Sequence, residues 1–247
     1  MDLGLKGRTA LVTGASSGLG LASAEALAAE GANVSMLGRR RELLEREADR
    51  IGALAIRGDV TVPKDLERAV ETTLEAFGRL DVLVWNGGGP PAGSGTDVTP
   101  ETLEDAIVLL LLPPVRLVHL ALPHLERSEG GRIVAITSIA AKEPVDHLAL
   151  SNIVRPGLTA WLKTLSRELG PRGITVNCVA PGRIATARLA YLYPQGPTED
   201  DLADIPLRRW GEARELGDVV CFLASERARY VTGQTILVDG GLQRSLF

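Results

Sequence analysis

The chain has 247 residues, of which 45% are hydrophobic and 23% charged; this suits one large α/β domain or two small ones with a real core, and excludes a disordered chain. Lys plus Arg number 27 and Asp plus Glu 31, a net charge of −4, which argues against a nucleic-acid partner because such proteins carry a basic patch. The longest apolar runs, such as Ile107 to Leu112, fall far short of the ~20 residues that span a bilayer, so no membrane partner is expected.

Thr9 to Thr13 is a short β-rich run, and Leu19 to Glu30 is Ala-rich with a helical period. Gly31 stands where a helix-terminating glycine is expected. Asn33 to Leu37 is apolar, Glu42 to Ile51 charged and helical, and Leu54 to Arg57 a short strand. Pro63 to Phe77 reads as a helix with Pro63 in its first turn and Thr61 as its cap. Asp81 to Trp85 is a buried strand. Thr99-Pro100-Glu101 opens a long helix that must pass Pro113-Pro114 before ending near Leu125. Then come a strand at Arg132 to Thr137, a helix at Ile153 to Leu169 and a strand at Ile174 to Val179. A helix at Glu212 to Ala224 and a strand at Gln234 to Val238 close the series.

Seven strands alternating with helices imply an α/β fold: one seven-stranded parallel sheet with helices on both faces. The strands are continuous apolar runs, as double-sided burial requires. No internal repeat and no linker interrupts the chain, so residues 1–247 read as one domain. Gly87 to Gly95 and Arg183 to Pro206 are the two long irregular pieces, and open α/β sheets bind ligands on such loops.

After the first strand comes Thr13-Gly14-Ala15-Ser16-Ser17-Gly18-Leu19-Gly20. Glycines at 14, 18 and 20 let the backbone approach a pyrophosphate and let the helix pack on the sheet, and the helix N-terminus offers free N–H groups and a partial positive charge. Within a βαβ unit this predicts dinucleotide binding, and therefore a Rossmann-type doubly wound domain.

The spacing TGxxxGxG resembles that of the short-chain dehydrogenase/reductase family, and the resemblance runs from Leu5 to Gly241. Asp59-Val60 resembles the family's adenine-contacting pair, and Asn86-Gly87-Gly88 its Asn-Ala-Gly turn. Asn177 to Gly182, with Ile184 and Thr186, resembles the segment that contacts the nicotinamide amide. Arg208 to Gly211, Phe222 to Ser225 and Thr232 to Gly241 match the family's C-terminal pattern. Nearest in pattern are the 3-oxoacyl-carrier-protein reductases. The resemblance implies cofactor contacts at Gly14, Ser16, Ser17, Gly18, Leu19, Gly20, Asp59, Val60, Asn86, Gly87, Gly88, Arg155, Pro181, Gly182, Ile184 and Thr186. It also implies a small carbonyl or hydroxyl substrate, a homo-oligomer (tetramer or dimer) and a substrate lid at residues 183–206. Leu189, Tyr191, Leu192 and Tyr193 are the lid's apolar candidates and Glu199 to Asp201 its acidic rim, although ordinary loop packing explains them as well.

The second predicted strand ends at Leu37, followed by Gly38-Arg39-Arg40-Arg41, with no carboxylate before Glu42. An NAD enzyme of this fold places a carboxylate there for the ribose 2′-hydroxyl; a guanidinium instead suits a 2′-phosphate. The expectation is NADP rather than NAD, held by Arg39 with help from Arg40. A solvated basic helix start is the alternative, since 23 of the 27 basic residues are Arg.

The catalytic positions depart from the family, whose members carry a Ser, a Tyr with a Lys four residues on, and an Asn in the preceding helix. Ser138 matches the Ser. The ungapped match from Arg155-Pro156-Gly157-Leu158 to Asn177 puts Ser151 at the Tyr position and Arg155 at the Lys position. Counting back from Pro123 puts Leu110 at the Asn position. No Tyr occurs before Tyr191, so no shift of register restores the motif. The catalytic candidates are therefore Ser138, Ser151 and Arg155. A serine hydroxyl is a far poorer acid than a phenol, and Arg155 keeps only a permanent cation. His147 has the pKa range of a replacement acid; an exposed loop histidine is the plainer reading. The prolines free the carbonyls of Leu109 and Leu110, so a kink is expected at Leu109 to Pro114. Either it turns the Leu110 carbonyl toward the nicotinamide pocket or it only bends the helix around a neighbouring subunit.

Two functions compete: an NADP-dependent oxidoreductase with an altered proton route, and a nucleotide-binding regulator or scaffold that lost its acid. Ser138 favours the first, and the missing Tyr the second. His119 and His124 read as helix-packing residues. Three scattered His and two scattered Cys give no ligand spacing, so no metal is expected. Cys178 and Cys221 lie in apolar runs and read as reduced core residues. Met1 to Lys6 has neither a basic n-region nor an apolar h-region, which leads to an expectation of a cytoplasmic protein.

Overall fold

The computed structural model describes residues 2–246. In chain order the elements are β1 (Thr9–Thr13), α1 (Gly18–Ala29), β2 (Asn33–Gly38), α2 (Arg41–Ile51), β3 (Leu54–Arg57), α3 (Pro63–Phe77) and β4 (Val82–Asn86). Next come α4 (Pro100–Leu110), α5 (Leu112–Leu125), β5 (Arg132–Ile136), α6 (Ala149–Leu169) and β6 (Thr175–Pro181). Last are β7 (Ile184–Ala185), α7 (Ala187–Leu192), α8 (Glu199–Ala203), β8 (Gly211–Glu212), α9 (Ala213–Ala224) and β9 (Thr235–Val238).

Seven strands form one parallel sheet in the order β3-β2-β1-β4-β5-β6-β9, as the alternation of strands and helices predicts. Successive residues of a strand face opposite sides, and here both sides are buried. Val12, Val84, Val134 and Val179 pack with Leu27 of α1 and with Leu216 and Val220 of α9. Their neighbours Leu11, Leu83, Trp85 and Ile133 pack on the other face with Leu66 of α3, Leu117 of α5 and Leu158 of α6. Each such side chain contributes about 1.5–3 kcal/mol by leaving water. The strand order reverses between β1 and β4, so the helices following β1 and β4 leave on opposite faces and a crevice opens between those strand ends.

Three local expectations need correction. The α3 cap is Val62, because Thr61 spends its hydroxyl on the Asp59 carboxylate 2.8 Å away. The helix expected from Ile153 begins at Ala149. The segment expected to be irregular after Arg183 instead carries α7, α8 and β7, and β7 pairs with β8. The long helix ending at Leu125 divides at Leu111, inside the Leu109 to Pro114 window where a kink is expected.

Pro100–Leu125 is long and apolar enough to cross a membrane by length and composition. Its Leu117, Val118, Ala121 and Leu125 are buried in the second core. Gly31 terminates α1 at φ 81°, which a side-chain-bearing residue adopts only at a cost. Cys178 and Cys221 are free thiols, both buried.

Candidate active site

The crevice at the carboxyl ends of the strands is a cleft of about 900 Å³. Its first wall is the turn between β1 and α1. Gly14 has φ 59°, and a Cβ there would meet the Asn86 carbonyl oxygen at 2.6 Å. Asn86 donates from Nδ2 to the Gly14 carbonyl at 3.2 Å, and Thr13 Oγ1 accepts from the Asn86 N–H at 2.8 Å. The turn is thereby bolted to the end of β4. Ser17 stands at the α1 cap position, yet its side chain makes no capping bond, which leaves the first N–H groups of α1 to the cleft. Gly18, φ 59°, faces Thr186 across the cleft: an added Cβ would sit 3.6 Å from its methyl group.

All but one of the expected cofactor residues line this cleft: Gly14, Ser16, Ser17, Gly18, Leu19, Arg39, Arg40, Asp59, Val60, Asn86, Gly87, Gly88, Arg155, Pro181, Gly182, Ile184 and Thr186. Gly20 is the correction. It lies behind the turn, where a Cβ would strike the Gly14 carbonyl oxygen at 2.4 Å, so its smallness serves helix–strand packing.

At the end of β2 the two arginines differ. The Arg39 side chain is 74% exposed, with its guanidinium 3.7 Å from the Asp59 carboxylate. Arg40 reaches back over the turn and donates to Ser16 Oγ at 3.1 Å and Ser17 Oγ at 2.5 Å. Arg40, expected as the helper, is therefore the arginine tied to the glycine turn.

Ser138, Ser151 and Arg155 line the far part of the same cleft. Ser138 Oγ accepts from the Ala140 N–H at 3.1 Å, which leaves its own proton free to donate. Ser151 lies buried in the first turn of α6. Arg155, also buried, donates to the Ile136 carbonyl at 3.2 Å and to the Gly88 carbonyl at 3.1 Å. Burial, and then the nearby Arg188 cation, pull its pKa down to about 10, so it stays charged at neutral pH. Leu109 lines the cleft, whereas Leu110, matched to the family Asn, is buried with Ala106, Leu150 and Val154. His147 lies exposed on the rim with φ 58°, its carbonyl accepting from Gly93 N–H at 2.8 Å.

Two residues carry no motif and escaped the sequence reading. Asn152 clamps the loop before α6: its Oδ1 accepts from Val145 N–H at 3.0 Å and its Nδ2 donates to the Val145 carbonyl at 2.9 Å. Arg188, on α7, reaches over Gly89 to donate to the Pro90 carbonyl at 2.6 Å. Only the fold brings residues 188 and 90 together. His119 is exposed and bonds its own helix at Val115 rather than packing between helices. Among the described residues, no group of His, Cys, Asp or Glu is placed to hold a metal ion.

A dinucleotide fits these residues. An uncapped helix N-terminus faces the cleft, Gly18 leaves room opposite Thr186, and two guanidiniums stand at the end of β2.

The chain matches the family model described as Enoyl-(Acyl carrier protein) reductase over residues 14–243. It is 34% identical to the Homo sapiens dehydrogenase/reductase SDR family member 4, covering 96% of this chain and 88% of the relative. It is also 34% identical to a cyclohexanol dehydrogenase of Rhodococcus sp. (strain TK6), covering 99% of each. The L-sorbose reductase of Gluconobacter frateurii, solved with NADPH and L-sorbose, superposes with a TM-score of 0.93 at 32% identity over 100% of both chains. YwfH, an NADPH-dependent reductase involved in bacilysin biosynthesis, gives a TM-score of 0.92 at 29% identity over 97% of this chain and 99% of that one. With sheet order, glycine turn and whole-length similarity in agreement, the chain belongs to the short-chain dehydrogenase/reductase family of oxidoreductases.

Proposed function

We propose that this oxidoreductase is an NADPH-dependent reductase of small carbonyl compounds, working with a site that has serine and arginine where its family has tyrosine and lysine. The observation that carries the cofactor preference is the pair Arg39 and Arg40 at the end of β2, with Arg40 fixed over the glycine turn by Ser16 and Ser17. A 2′-phosphate there would meet two guanidiniums, whereas a ribose 2′-hydroxyl would find only the ion-paired Asp59 as a carboxylate. The NADPH named with two similar structures agrees with this reading.

When bound, the reduced nicotinamide supplies the hydride. The chain's own part is to bind, orient and stabilise. The α1 N-terminus and Gly18 receive the pyrophosphate, with Thr186 opposite. Ser138, whose oxygen is occupied by Ala140 N–H, donates its proton as a hydrogen bond to the substrate oxygen. Ser151 offers a second hydroxyl, and the Arg155 cation favours negative charge developing on that oxygen. General acid catalysis by a phenol is replaced by electrostatic stabilisation with slower proton delivery; positioned acids are worth about 10²–10⁴-fold. A nucleotide-binding protein without turnover fits the cofactor residues but leaves Ser138 without a task. The resemblance to 3-oxoacyl-carrier-protein reductases is a reading of pattern. We also propose a homo-oligomer, because α4 and α6 pack together and, with α5, present Val108, Leu112 and Ile153 outward.

Titration with NADPH and NADH by nicotinamide fluorescence, followed by a carbonyl screen in the same sample, tests the proposal. Tighter NADPH binding with slow ketone reduction is expected. Equal affinity for the two cofactors would overturn the preference, and no turnover of any carbonyl would favour the binding protein.

A further inference from the structure

Two of the arginines lining the cleft are paired with carboxylates. Arg183 lies 3.6 Å from both the Asp201 and the Asp204 carboxylates. Arg39 faces Asp59, and Arg40 rests on two serine hydroxyls. The two arginines at the substrate end are different. Arg155 is buried, its guanidinium meets only the carbonyls of Ile136 and Gly88, and its Nε has no partner at all. Arg188 is half-buried, donates to the Pro90 carbonyl, and holds its guanidinium carbon 5.5 Å from the Tyr191 ring centre. No carboxylate of the described residues lies within 4.0 Å of either one. The charge Arg155 does sense is Arg188, a second cation. Glu143, Asp146 and His147 line the same cleft and are exposed.

A guanidinium does not escape burial by losing its proton at neutral pH, so two of them sharing one cleft without a counter-ion is a costly arrangement. Both straddle a single loop, since the carbonyls they hold belong to Gly88 and Pro90. In the proposed reading the cofactor phosphates have their own places, at the uncapped α1 N-terminus and at Arg40 over the glycine turn. An anion of the substrate would supply the missing partner at this end. A carboxylate suits the planar fork of arginine, which can bind both its oxygens.

We infer that the substrate is a carboxylate-bearing carbonyl compound, an oxo acid, whose carboxylate is clamped by Arg188 above the Arg155 cation. This rests on the reading of the chain as an NADPH-dependent reductase and narrows its substrate class. Arg188 thus becomes a specificity-determining residue, and the carbonyl is presented to Ser138 by a group remote from the reacting carbon.

The test uses the enzyme saturated with NADP⁺ and a matched series of short 2-, 3- and 4-oxo acids with their methyl esters, followed by calorimetry. At least one acid should bind tenfold or more tightly than its ester. Arg188→Gln should erase that difference, and Arg188→Lys should keep part of it, while NADPH affinity stays within about twofold in both variants. Acids and esters binding alike would overturn the inference and leave the cofactor reading standing. A parallel loss of NADPH affinity in Arg188→Gln would overturn it too, by assigning the guanidinium to a cofactor phosphate. Failure of the unmutated protein to bind NADPH would overturn the cofactor reading, and this inference with it.

Discussion

Of the two arginines that carry the cofactor preference in our reading, Arg40 is the one tied to the glycine turn. Arg39 is the first cation after β2, but its side chain points into solvent beside Asp59. Arg40 is held over the turn, so Arg40→Ala should weaken NADPH about ten- to a hundredfold, the worth of a charge-assisted hydrogen bond of ~1.5–3 kcal/mol. NADH affinity should change little, and the two titrations together check this. The reacting end is tested by restoring the family residues. Ser151→Tyr alone should leave ketone reduction slow, because Arg155 commits donors to Ile136 and Gly88 and sits where the family has Lys. Ser151→Tyr with Arg155→Lys should exceed the product of the single effects, since the two side chains act as one unit. If the unmutated protein already matches the double variant in NADPH oxidation, the serine–arginine site is as efficient as the one it replaces.

The elements of the sheet are joined at one buried carboxylate. Asp81, just before β4, accepts from the Thr9 N–H at 2.8 Å, from Ser128 Oγ at 2.5 Å and from Arg79 at 2.7 Å through both Nε and Nη2. Burial raises its pKa, but the bonds from Arg79, Ser128 and Thr9 outweigh this and hold it below the usual carboxylate range. A depressed folded pKa means that this stability is present in full above pH ~4 and is lost as pH falls through the folded value. Asp81→Asn should cost about 2–3 kcal/mol at pH 7 and flatten the acid limb of stability, as read by urea unfolding across pH 3–7. Proline acts at the same scale. Pro113 and Pro114 remove two N–H donors, and the helix divides at Leu111. Its two halves then serve different ends, Leu109 facing the cleft and Leu117 the core.

At the scale of the whole molecule, the outward apolar residues Val108, Leu112 and Ile153 are 41%, 36% and 49% exposed on α4, α5 and α6. Their burial between copies would give a solution mass that is a multiple of 26.2 kDa. Light scattering should show that multiple for the unmutated protein, and a lower mass for Ile153→Glu, because a carboxylate is expensive to desolvate at an interface. A monomer under all conditions would sink the oligomer proposal.

The strand–helix alternation, the parallel sheet and the nucleotide turn were legible in the residues alone. Their causes are local: apolar runs buried on both faces, glycines at 14 and 18 with positive φ, and prolines that stop helices. The cleft residues from Gly14 to Thr186 were named from the family resemblance, and the structure brings all of them but Gly20 to one cleft. The glycine run offered both ligand approach and helix packing, which look the same in a sequence; for Gly20 the 2.4 Å approach of the Gly14 oxygen selects packing. Arg40 and Arg188 took their places through contacts between segments far apart in the chain. Composition could not reveal which arginines, among 23, end without a carboxylate. Charge pairing depends on distance through space, and the tertiary structure alone set those distances.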